Sequence, residues 1–365
     1  MRPGLADESP LSIAMFTPAW PSHAYPNGII PYVEILADQF EAQGNRVTIV
    51  SNANAGEVTD NRVKLVADEA GIRSLGTRLL DSVSYRLNPA LAVRRISRRA
   101  VVDAFRKVVA DQKIQFIEME ETFGWAWWIR KALGIPMCVR LHGPWFLNGR
   151  ASGAIEDEAF RQRVADEGRA IAAADVITSP SQDTLDQTRS FYKLDLPNAL
   201  VIPAPLFMPS KSDHWKLETC RRNLVGFIGR FDRHKGADLL IDAFAQVLRE
   251  VPDARLRCIG AEKTLVDDNG REWTPADYIR DKIPGALESG AVEFLGHQPK
   301  DVLLRLRREA LVTVVPSRYE IFGYTATEAM SLGCPIIGSR TGGIQELIQD
   351  GKNGILHEPG NRQDL

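Results

Sequence analysis

The residues of this chain whose type and spacing point most directly to chemistry are two glutamates eight positions apart, Glu320 and Glu328. Residues 311–316 before them predict a buried strand closed by a proline, and the small residues between them open an apolar helix. In an open parallel sheet such a loop lies at the carboxyl edge, where ligands bind. The backbone N–H groups at the helix start favour an anion such as a diphosphate, while the carboxylates favour hydroxyl groups. This arrangement suits a sugar nucleotide, which has hydroxyl groups at both ends and phosphates in the middle.

Spacing alone leaves a plainer alternative open, because such a pair of glutamates occurs often by chance and both can be solvated side chains near a helix start. The residues around the pair resemble the E-x7-E signature of retaining glycosyltransferases with the GT-B fold, in particular glycosyltransferase family 4. The matching segments are Pro316-Ser317, Glu320-x-Phe322-Gly323, Glu328-Ala329-Met330 and Gly333-x-Pro335.

The resemblance implies an α/β fold of the GT-B type, in which two Rossmann-like α/β/α domains with parallel sheets face each other across a cleft. It implies a retaining transfer of a sugar from a nucleotide-diphosphate sugar to a saccharide or lipid-linked acceptor. In this interpretation Glu320 is a catalytic residue that holds the donor sugar, and Glu328 holds the ribose. Further donor-binding residues implied in the same loop and helix are Phe322, Gly323, Tyr324 and Thr325.

A basic loop follows the first predicted strand of the same half of the chain. Residues 229–236 contain Arg230 and Lys235, which suit phosphate binding because an arginine offers a bidentate fork and a lysine a point charge. The alternative is a solvated basic turn that caps a neighbouring carboxylate. The loop resembles the family's G-R-x4-K-G segment, which implies that both residues bind the donor diphosphate. Candidates for contact with the base, in the loops after two later strands, are Ala261, Glu262, Lys263 and His297.

Two candidate site residues lie in the N-terminal half. His142 directly follows a predicted strand and precedes a glycine, so it is well placed to face a ligand, although a lone histidine is more often a buried structural residue. The resemblance implies that His142 faces the donor sugar as a catalytic residue. Asn27-Gly28 resembles the family's first glycine-rich loop, which implies that the backbone of Gly28 approaches the donor diphosphate or the reacting centre.

Short apolar runs alternate with helical patterns along the whole chain, which predicts βαβ units and parallel sheets. The 365 residues are enough for two hydrophobic cores, and residues 203–213 have the prolines and polar residues of a linker. We therefore predict an N-terminal acceptor-binding domain at residues 1–204 and a C-terminal donor-binding domain at residues 205–365. The predicted strands are 12–17, 46–50, 116–119, 136–141, 176–178, 224–229, 255–260, 292–295, 312–315 and 335–338.

Composition narrows the class of protein. A formal net charge of −2 provides no footprint for nucleic acid. Four scattered cysteines argue against a zinc site and a disulfide framework, and there is no apolar run of membrane-spanning length or signal-peptide type, so we expect a cytoplasmic protein. No D-x-D motif and no G-x-G-x-x-G after a strand occur, so the donor is expected to bind without a metal ion and without a nicotinamide cofactor.

A basic stretch, residues 73–107, and a group of tryptophans remain outside these motifs. The stretch is partly amphipathic, so it either contacts anionic lipid at the inner face of the membrane or is a solvated face that attracts an anionic acceptor. Of the tryptophans, Trp128 is predicted in the core and Trp125 is a candidate for acceptor contact. Ser179 is predicted to cap a helix that starts at Pro180.

The chain ends at Leu365, where family members usually continue with further helices, so a shortened chain with impaired activity is an expectation. The rival to a glycosyltransferase is therefore a nucleotide-sugar-binding GT-B protein without catalysis. A GT-B epimerase or phosphorylase is a third alternative, although the latter needs a pyridoxal lysine for which no signature is present.

Overall fold

The chain divides by its internal contacts into two units in this computed structural model, which describes residues 9–25, 27–69, 86, 89–267 and 270–365. Unit 1 comprises Met1–Phe146, Glu156–Ser179 and Leu185–Pro205. Unit 2 comprises Leu147–Ile155, Pro180–Thr184 and Leu206–Leu365. The predicted boundary between residues 204 and 205 stays a prediction, and the second unit also takes in two short segments from the N-terminal half of the chain.

Unit 1 is built on a seven-stranded sheet in which every pairing is parallel, in the order β3-β2-β1-β4-β5-β6-β7. The central strands are buried along almost their whole length, because a parallel sheet is covered by helices on both faces. The predicted α/β class with parallel sheets is confirmed. The strands are β1 Ser12–Thr17, β2 Arg46–Ser51, β3 Val63–Leu65, β4 Phe116–Glu120, β5 Met137–Arg140, β6 Val176–Ser179 and β7 Ala199–Val201.

The helices of the N-terminal half begin and end at residues suited to these positions. Asp157 accepts a hydrogen bond from the backbone N–H of Phe160 at 2.8 Å and so caps a long helix, and Gly134 ends another in the left-handed region with φ 68°. The helices are α1 Ile29–Ala42, α2 Val66–Glu69, α3 Pro89–Gln112, α4 Trp125–Leu133, α5 Trp145–Ala151, α6 Glu158–Ala173 and α7 Gln182–Tyr192.

Two local predictions in this half are wrong. Helix α7 begins at Gln182 rather than Pro180, and the side chain that caps it is Ser181, which accepts from the backbone N–H of Thr184. Trp128 is not part of the core: its half-buried ring lies against the guanidinium of Arg98, 3.7 Å from the ring centroid. A cation over the ring face offsets the exposure of the indole edge.

Unit 2 is built on a six-stranded parallel sheet in the order β12-β9-β8-β13-β14-β15, with a separate antiparallel pair β10-β11. Helices cover the sheet, and their buried apolar side chains form its core with those of the strands. The strands are β8 Arg221–Ile228, β9 Arg255–Ile259, β10 Leu265–Val266, β11 Glu272–Trp273, β12 Val292–Phe294, β13 Ala310–Val315, β14 Ile336–Ser339 and β15 Ile355–His357. The helices are α8 Ala237–Glu250, α9 Pro275–Lys282, α10 Lys300–Glu309, α11 Tyr324–Ser331 and α12 Ile344–Leu347.

The strand order determines which loops are neighbours. Strands β8 and β13 pair directly, so the basic loop after β8 and the acidic loop after β13 leave the same edge of the sheet side by side. Strands β4 and β5 pair directly in unit 1, so the residues after Glu120 and after Arg140 are neighbours in the same way. The carboxyl ends of parallel strands are where an open α/β sheet binds ligands.

Candidate functional site

The acidic loop runs from Pro316 to Gly323 and leads into helix α11. Ile321 and Phe322 are buried and anchor the loop in the core, while Gly323 turns the chain into the helix with φ 86°, in the left-handed region that favours glycine. The first N–H groups of α11 follow at once, and at a helix start these have no intrahelical partner. The loop that carries Glu320 therefore leads directly into the N-terminus of a helix.

The side chains of Lys235 and Glu320 are brought into direct contact from the two neighbouring loops. Lys235 Nζ lies 2.6 Å from Glu320 Oε1, and Ser317 Oγ donates to the same oxygen at 2.7 Å. Burial alone would raise the pKa of Glu320, but the charge of Lys235 and these hydrogen bonds outweigh it and lower that pKa below the usual range. Glu320 is therefore a carboxylate at neutral pH, and it lies beside a fixed ammonium group.

The basic loop is folded around Asp232. This carboxylate accepts from the backbone N–H of Lys235 at 2.8 Å and from Arg230 Nε at 2.6 Å. His234 links the loop to its neighbour, since its Nε2 lies 2.9 Å from the carbonyl oxygen of Tyr319, and burial together with the charge of Lys235 lowers its pKa. The loop is thus rigid at its base, while Arg230 remains 44% exposed and able to reach a ligand.

Two consecutive glycines after strand β14, Gly342 and Gly343, contact the backbone of the acidic loop. The backbone N–H of Gly343 donates to the carbonyl oxygen of Glu320 at 2.8 Å. A Cβ atom added at Gly342, where φ is +50°, would lie 2.0 Å from that same carbonyl oxygen. Only glycine allows such a close approach with this backbone conformation, so the motif sets the position of Glu320.

Glu328 lies one turn into helix α11, with its side chain 44% exposed. Its carboxylate pairs with the guanidinium of Arg307, a residue of helix α10. The sequence reasoning did not find Arg307, because the two residues are 21 positions apart and belong to different helices. The one available signal was an arginine beside Leu306 on the buried side of a helix.

Three strand ends meet next to the basic loop. The backbone N–H of Gly229 donates to the carbonyl oxygen of Ile259 at 2.9 Å, and that of Gly260 donates to Gly296 at 2.9 Å. A Cβ atom at Gly260 would lie 1.9 Å from the carbonyl oxygen of Gly229. The loops that carry the base candidates Ala261, Glu262, Lys263 and His297 thus leave strands β9 and β12 beside the basic loop, and their contact with a base stays a prediction.

His142 lies in unit 1, in the turn after β5. The backbone N–H groups of His142 and Gly143 donate to the two carboxylate oxygens of Glu121, at 2.9 and 2.8 Å, which fixes the turn. The ring of Tyr32 packs edge-on against the imidazole, with 4.8 Å between ring centroids. Burial and the charge of Arg140 lower the pKa of His142 well below its usual range, so the imidazole is neutral.

Buried carboxylates lie behind this turn. Burial raises the pKa of Glu121 to about 8, with a further contribution from the charge of Glu167, and burial also raises that of Glu120, to about 7. Glu167 accepts from the backbone N–H of Trp145 at 2.6 Å and from Arg163 Nε at 2.8 Å. Two acidic side chains therefore hold the backbone of residues 142–145 in place.

Gly28 lies at the exposed start of helix α1, in the same unit as His142. Its φ of −69° is open to any residue, so the backbone conformation does not explain the glycine. Asn27 Oδ1 accepts from the backbone N–H of Ile29 at 2.9 Å and so caps the helix. The predicted approach of Gly28 to a diphosphate stays a prediction.

Several arginines of the predicted basic stretch have partners within unit 1. Arg94 pairs with Asp166 and Arg106 with Asp103, while Arg98 covers Trp128. Arg73, Arg78 and the rest of residues 70–85 lie outside the described residues. The described ranges contain no helix that is long and apolar enough to cross a membrane.

Two family models match consecutive parts of the chain. The one described as Glycosyl transferase 4-like domain matches residues 27–205, and the one described as Glycosyl transferases group 1 matches residues 210–365. The second match contains Glu320, Glu328 and the basic loop.

Curated relatives resemble the chain over part of their length. The D-inositol 3-phosphate glycosyltransferase of Corynebacterium jeikeium is 32% identical over 150 residues, which are 40% of this chain and 34% of that protein. The enzyme of the same name from Thermobifida fusca is 25% identical over 243 residues, 64% of this chain and 56% of that protein. The chain thus spans between a third and just over half of the length of these two relatives.

Solved structures resemble the chain over nearly all of its length. Sucrose-phosphate synthase from Thermosynechococcus elongatus has a TM-score of 0.67 at 21% identity, covering 97% of this chain and 87% of that one. Anabaena HepE in complex with UDP has a TM-score of 0.66 at 19% identity, with the same coverage. At these identities the likeness shows the fold alone, and the predicted GT-B fold is confirmed.

Proposed function

We propose that this chain, which has the GT-B fold and matches the glycosyl transferase 4-like and glycosyl transferases group 1 models in its two halves, transfers a sugar from a nucleotide-diphosphate sugar to a saccharide or lipid-linked acceptor. The observation that carries the proposal is the contact between Lys235 and Glu320, which join a cation and a carboxylate beside a helix start. This combination suits phosphates and sugar hydroxyls bound side by side.

The diphosphate is the part of the donor that Lys235 recognises. An ammonium group has three N–H donors, so Lys235 keeps one for Glu320 and directs the others at phosphate oxygens. Arg230 adds a fork from the same loop, and the backbone N–H groups at Gly323 and Tyr324 add the favourable end of a helix dipole. These positive groups stabilise the charge that develops on the leaving diphosphate.

The carboxylates take the hydroxyl groups at the two ends of the donor. Glu320 accepts from hydroxyls of the transferred sugar, and Glu328 accepts from the ribose. A neutral His142 both accepts and donates a hydrogen bond, so it aligns the reacting hydroxyls without adding charge. Phe322 and Thr325 complete the donor-binding loop and helix start.

We infer that the transfer retains the anomeric configuration. We also infer that it needs no divalent metal, because Arg230, Lys235 and the helix start already offset the diphosphate charge. A chelator such as EDTA is expected to leave the transfer rate unchanged, and a loss of activity restored by a divalent ion would contradict the inference. The anomeric configuration of the product is measured by NMR, and inversion would refute retention.

The experiment that tests the proposed function has two stages. A thermal-shift panel of nucleotide-diphosphate sugars, with UDP included because HepE was solved with it, identifies the donor. Transfer of the sugar, and hydrolysis of the donor to water, are then measured on the same protein. Donor binding without transfer or hydrolysis favours the rival, a nucleotide-sugar-binding protein without catalysis, and binding of none of the donors would contradict both.

The names of the curated relatives suggest which acceptors to test. The two curated relatives are named for D-inositol 3-phosphate, so this phosphorylated cyclitol is tested beside neutral saccharides and lipid-linked ones. Transfer to the lipid-linked class would support a cytoplasmic protein that contacts the inner face of the membrane. Flotation with anionic liposomes tests that contact directly, and the absence of salt-sensitive binding would contradict it.

A further inference from the structure

We propose that Arg307 is a positioning residue for nucleotide recognition: it holds the carboxylate of Glu328 in the orientation that the ribose hydroxyls need. This inference rests on the proposed function, because it concerns the part of the donor that Glu328 contacts. It assigns a role to a residue of helix α10 that no motif identifies.

The pair is asymmetric in its exposure. The side chain of Arg307 is 7% exposed, whereas that of Glu328 is 44% exposed, so the guanidinium lies behind the carboxylate and the carboxylate faces solvent. The contact is made by Nη2 of Arg307 and Oε2 of Glu328. The guanidinium thus binds one of the two carboxylate oxygens. Among the described residues, the side chain of Glu328 has no other hydrogen-bond partner.

The arginine is itself held in place. Its backbone carbonyl accepts from Cys334 Sγ at 3.1 Å, and its neighbours Leu306 and Ala310 belong to a buried apolar cluster. Its Nε has no hydrogen-bond partner within the described ranges. A buried guanidinium with a single side-chain partner has a strong need for that partner, because an unpaired buried charge is costly.

A purely structural explanation predicts a different arrangement. A salt bridge at the surface is flexible and contributes little to the stability of the fold. In a structural salt bridge of the core, both partners are buried. Here only the cation is buried, and a glutamate side chain that would otherwise sample many rotamers is fixed with its second oxygen free of protein partners among the described residues. A vicinal diol, such as the 2′ and 3′ hydroxyls of ribose, is the ligand group that suits such a carboxylate.

The test compares ribonucleoside and deoxyribonucleoside diphosphates. UDP, ADP and GDP are each titrated calorimetrically against the full chain, and the tightest binder is carried forward with its 2′-deoxy counterpart. We expect the wild type to prefer the ribonucleotide by about tenfold or more, since a hydrogen bond to a charged group is lost with the hydroxyl. Arg307→Met keeps the length and apolar stem, and it leaves Glu328 exposed enough to be solvated by water.

Arg307→Met is expected to weaken binding of the ribonucleotide about tenfold and to leave binding of the deoxynucleotide unchanged, so that the preference disappears. Combining it with Glu328→Gln should add nothing further, because the two residues act as one unit. The control is Arg305→Met on the same helix, whose side chain is 63% exposed and lies 3.8 Å from Asp301; it should keep the preference.

Three results would overturn the inference. One is a folded Arg307→Met that keeps the full preference for the ribonucleotide, and another is equal weakening of both nucleotides. If Arg307→Met does not fold, Arg307→Lys takes its place, since it keeps the charge and loses the fork; an unchanged preference there is the third. Failure of the proposed function looks different, because the wild type would then bind none of the three diphosphates.

Discussion

At the scale of single residues, the central feature is the ion pair between Lys235 and Glu320. Each would be costly alone in a largely buried position, and each lowers that cost for the other. The pair also fixes the lysine where the diphosphate is expected. If the proposed function is right, donor binding redirects an ammonium group that is already in place rather than ordering a flexible one.

The first prediction follows from this pair. Lys235→Ala should weaken binding of the nucleoside diphosphate by about tenfold to a hundredfold, because charge-assisted hydrogen bonds to phosphate are lost. Calorimetric titration measures the effect. The control is Lys352→Ala, which removes an exposed lysine from another loop and should change affinity by less than about twofold. Equal affinities in the two variants would contradict the assignment of Lys235 to the diphosphate.

The sequence predicted the two segments that carry these residues, whereas it did not predict the side chains that support them; the roles of these residues in binding stay predictions. Arg230, Lys235, Glu320 and Glu328 lie in two short segments whose strand-loop-helix order is readable from local patterns, and the structure brings Lys235 to Glu320. Arg307 was not predictable, because its contact joins two helices through packing, and no local pattern in residues 300–309 depends on Glu328. Side-chain pairing across elements is set by tertiary packing rather than by periodicity.

At the scale of elements, the shape of the candidate site depends on close contacts between the backbones of neighbouring loops. Gly342 closely approaches the carbonyl oxygen of Glu320, and Gly236 in the basic loop approaches that of Pro316. A Cβ atom added at either glycine would lie 2.0 Å from the carbonyl oxygen concerned. Both are in the left-handed region, with φ of +50° and +71°. The two glycines let the loops after β8, β13 and β14 approach more closely than any side chain would allow.

The second prediction compares two glycines in the left-handed region, of which only Gly342 makes such a close approach. Gly351→Ala, at φ +73° with nothing within 4 Å, should cost about 1–2 kcal/mol of unfolding free energy from conformational strain alone. Gly342→Ala carries a similar strain and an overlap with Glu320, so it should cost about 1–3 kcal/mol more. Urea unfolding measures both. Only Gly342→Ala should also weaken diphosphate binding, and equal effects of the two changes would show that the close approach is unimportant.

The third prediction concerns the turn that holds His142. Burial raises the pKa of Glu121 to about 8, far above the value in an unfolded chain. Between these two values the folded state binds a proton that the unfolded state lacks, so this carboxyl group stabilises the fold at low pH and its contribution is lost as pH rises towards about 8. Glu121→Gln removes the titration, so its melting temperature should fall less than that of the wild type between about pH 5 and about pH 9.

The control for the pH profile is a solvent-exposed glutamate. Glu272 is exposed on strand β11, and Glu272→Gln should keep the wild-type dependence of melting temperature on pH. Glu120 and Glu167 remain in the Glu121→Gln variant, so part of the slope should persist there. Parallel curves for wild type and Glu121→Gln would contradict the role given to this residue.

At the scale of the whole molecule, unit 2 is assembled from three separate parts of the chain. Ser152 Oγ lies 3.2 Å from His234 Nδ1, and Tyr319 Oη donates to Asp183 at 2.8 Å, so residues of both inserted segments contact the basic loop and the acidic loop. Ser181 Oγ also donates to the carbonyl oxygen of Ile321 at 2.8 Å. No linker-like composition marks these segments, which is why the sequence predicted a single boundary near residue 205.

The last prediction is that residues 206–365, expressed alone, are not equivalent to unit 2 in the full chain. Without Ser152, Ser181 and Asp183, the imidazole of His234 loses a hydrogen-bond partner, the Tyr319 hydroxyl loses an acceptor and the carbonyl oxygen of Ile321 loses a donor. Glu346 also loses the two N–H donors at residues 182 and 183. We expect the fragment to melt at a lower temperature and to bind the diphosphate at least about tenfold more weakly.

A full-length variant separates this cause from the general effects of cutting the chain. Asp183→Ala removes a carboxylate that accepts from Tyr319, the residue before Glu320, and should weaken diphosphate binding in the same direction as the fragment but less. Asp186→Ala, on the same helix and paired with Arg189, is the control and should leave binding unchanged. If the fragment binds as tightly as the full chain, the inserted segments do not shape the donor site. The close contacts of the two loops with each other and with Gly342 would then be sufficient to hold Lys235 and Glu320 together.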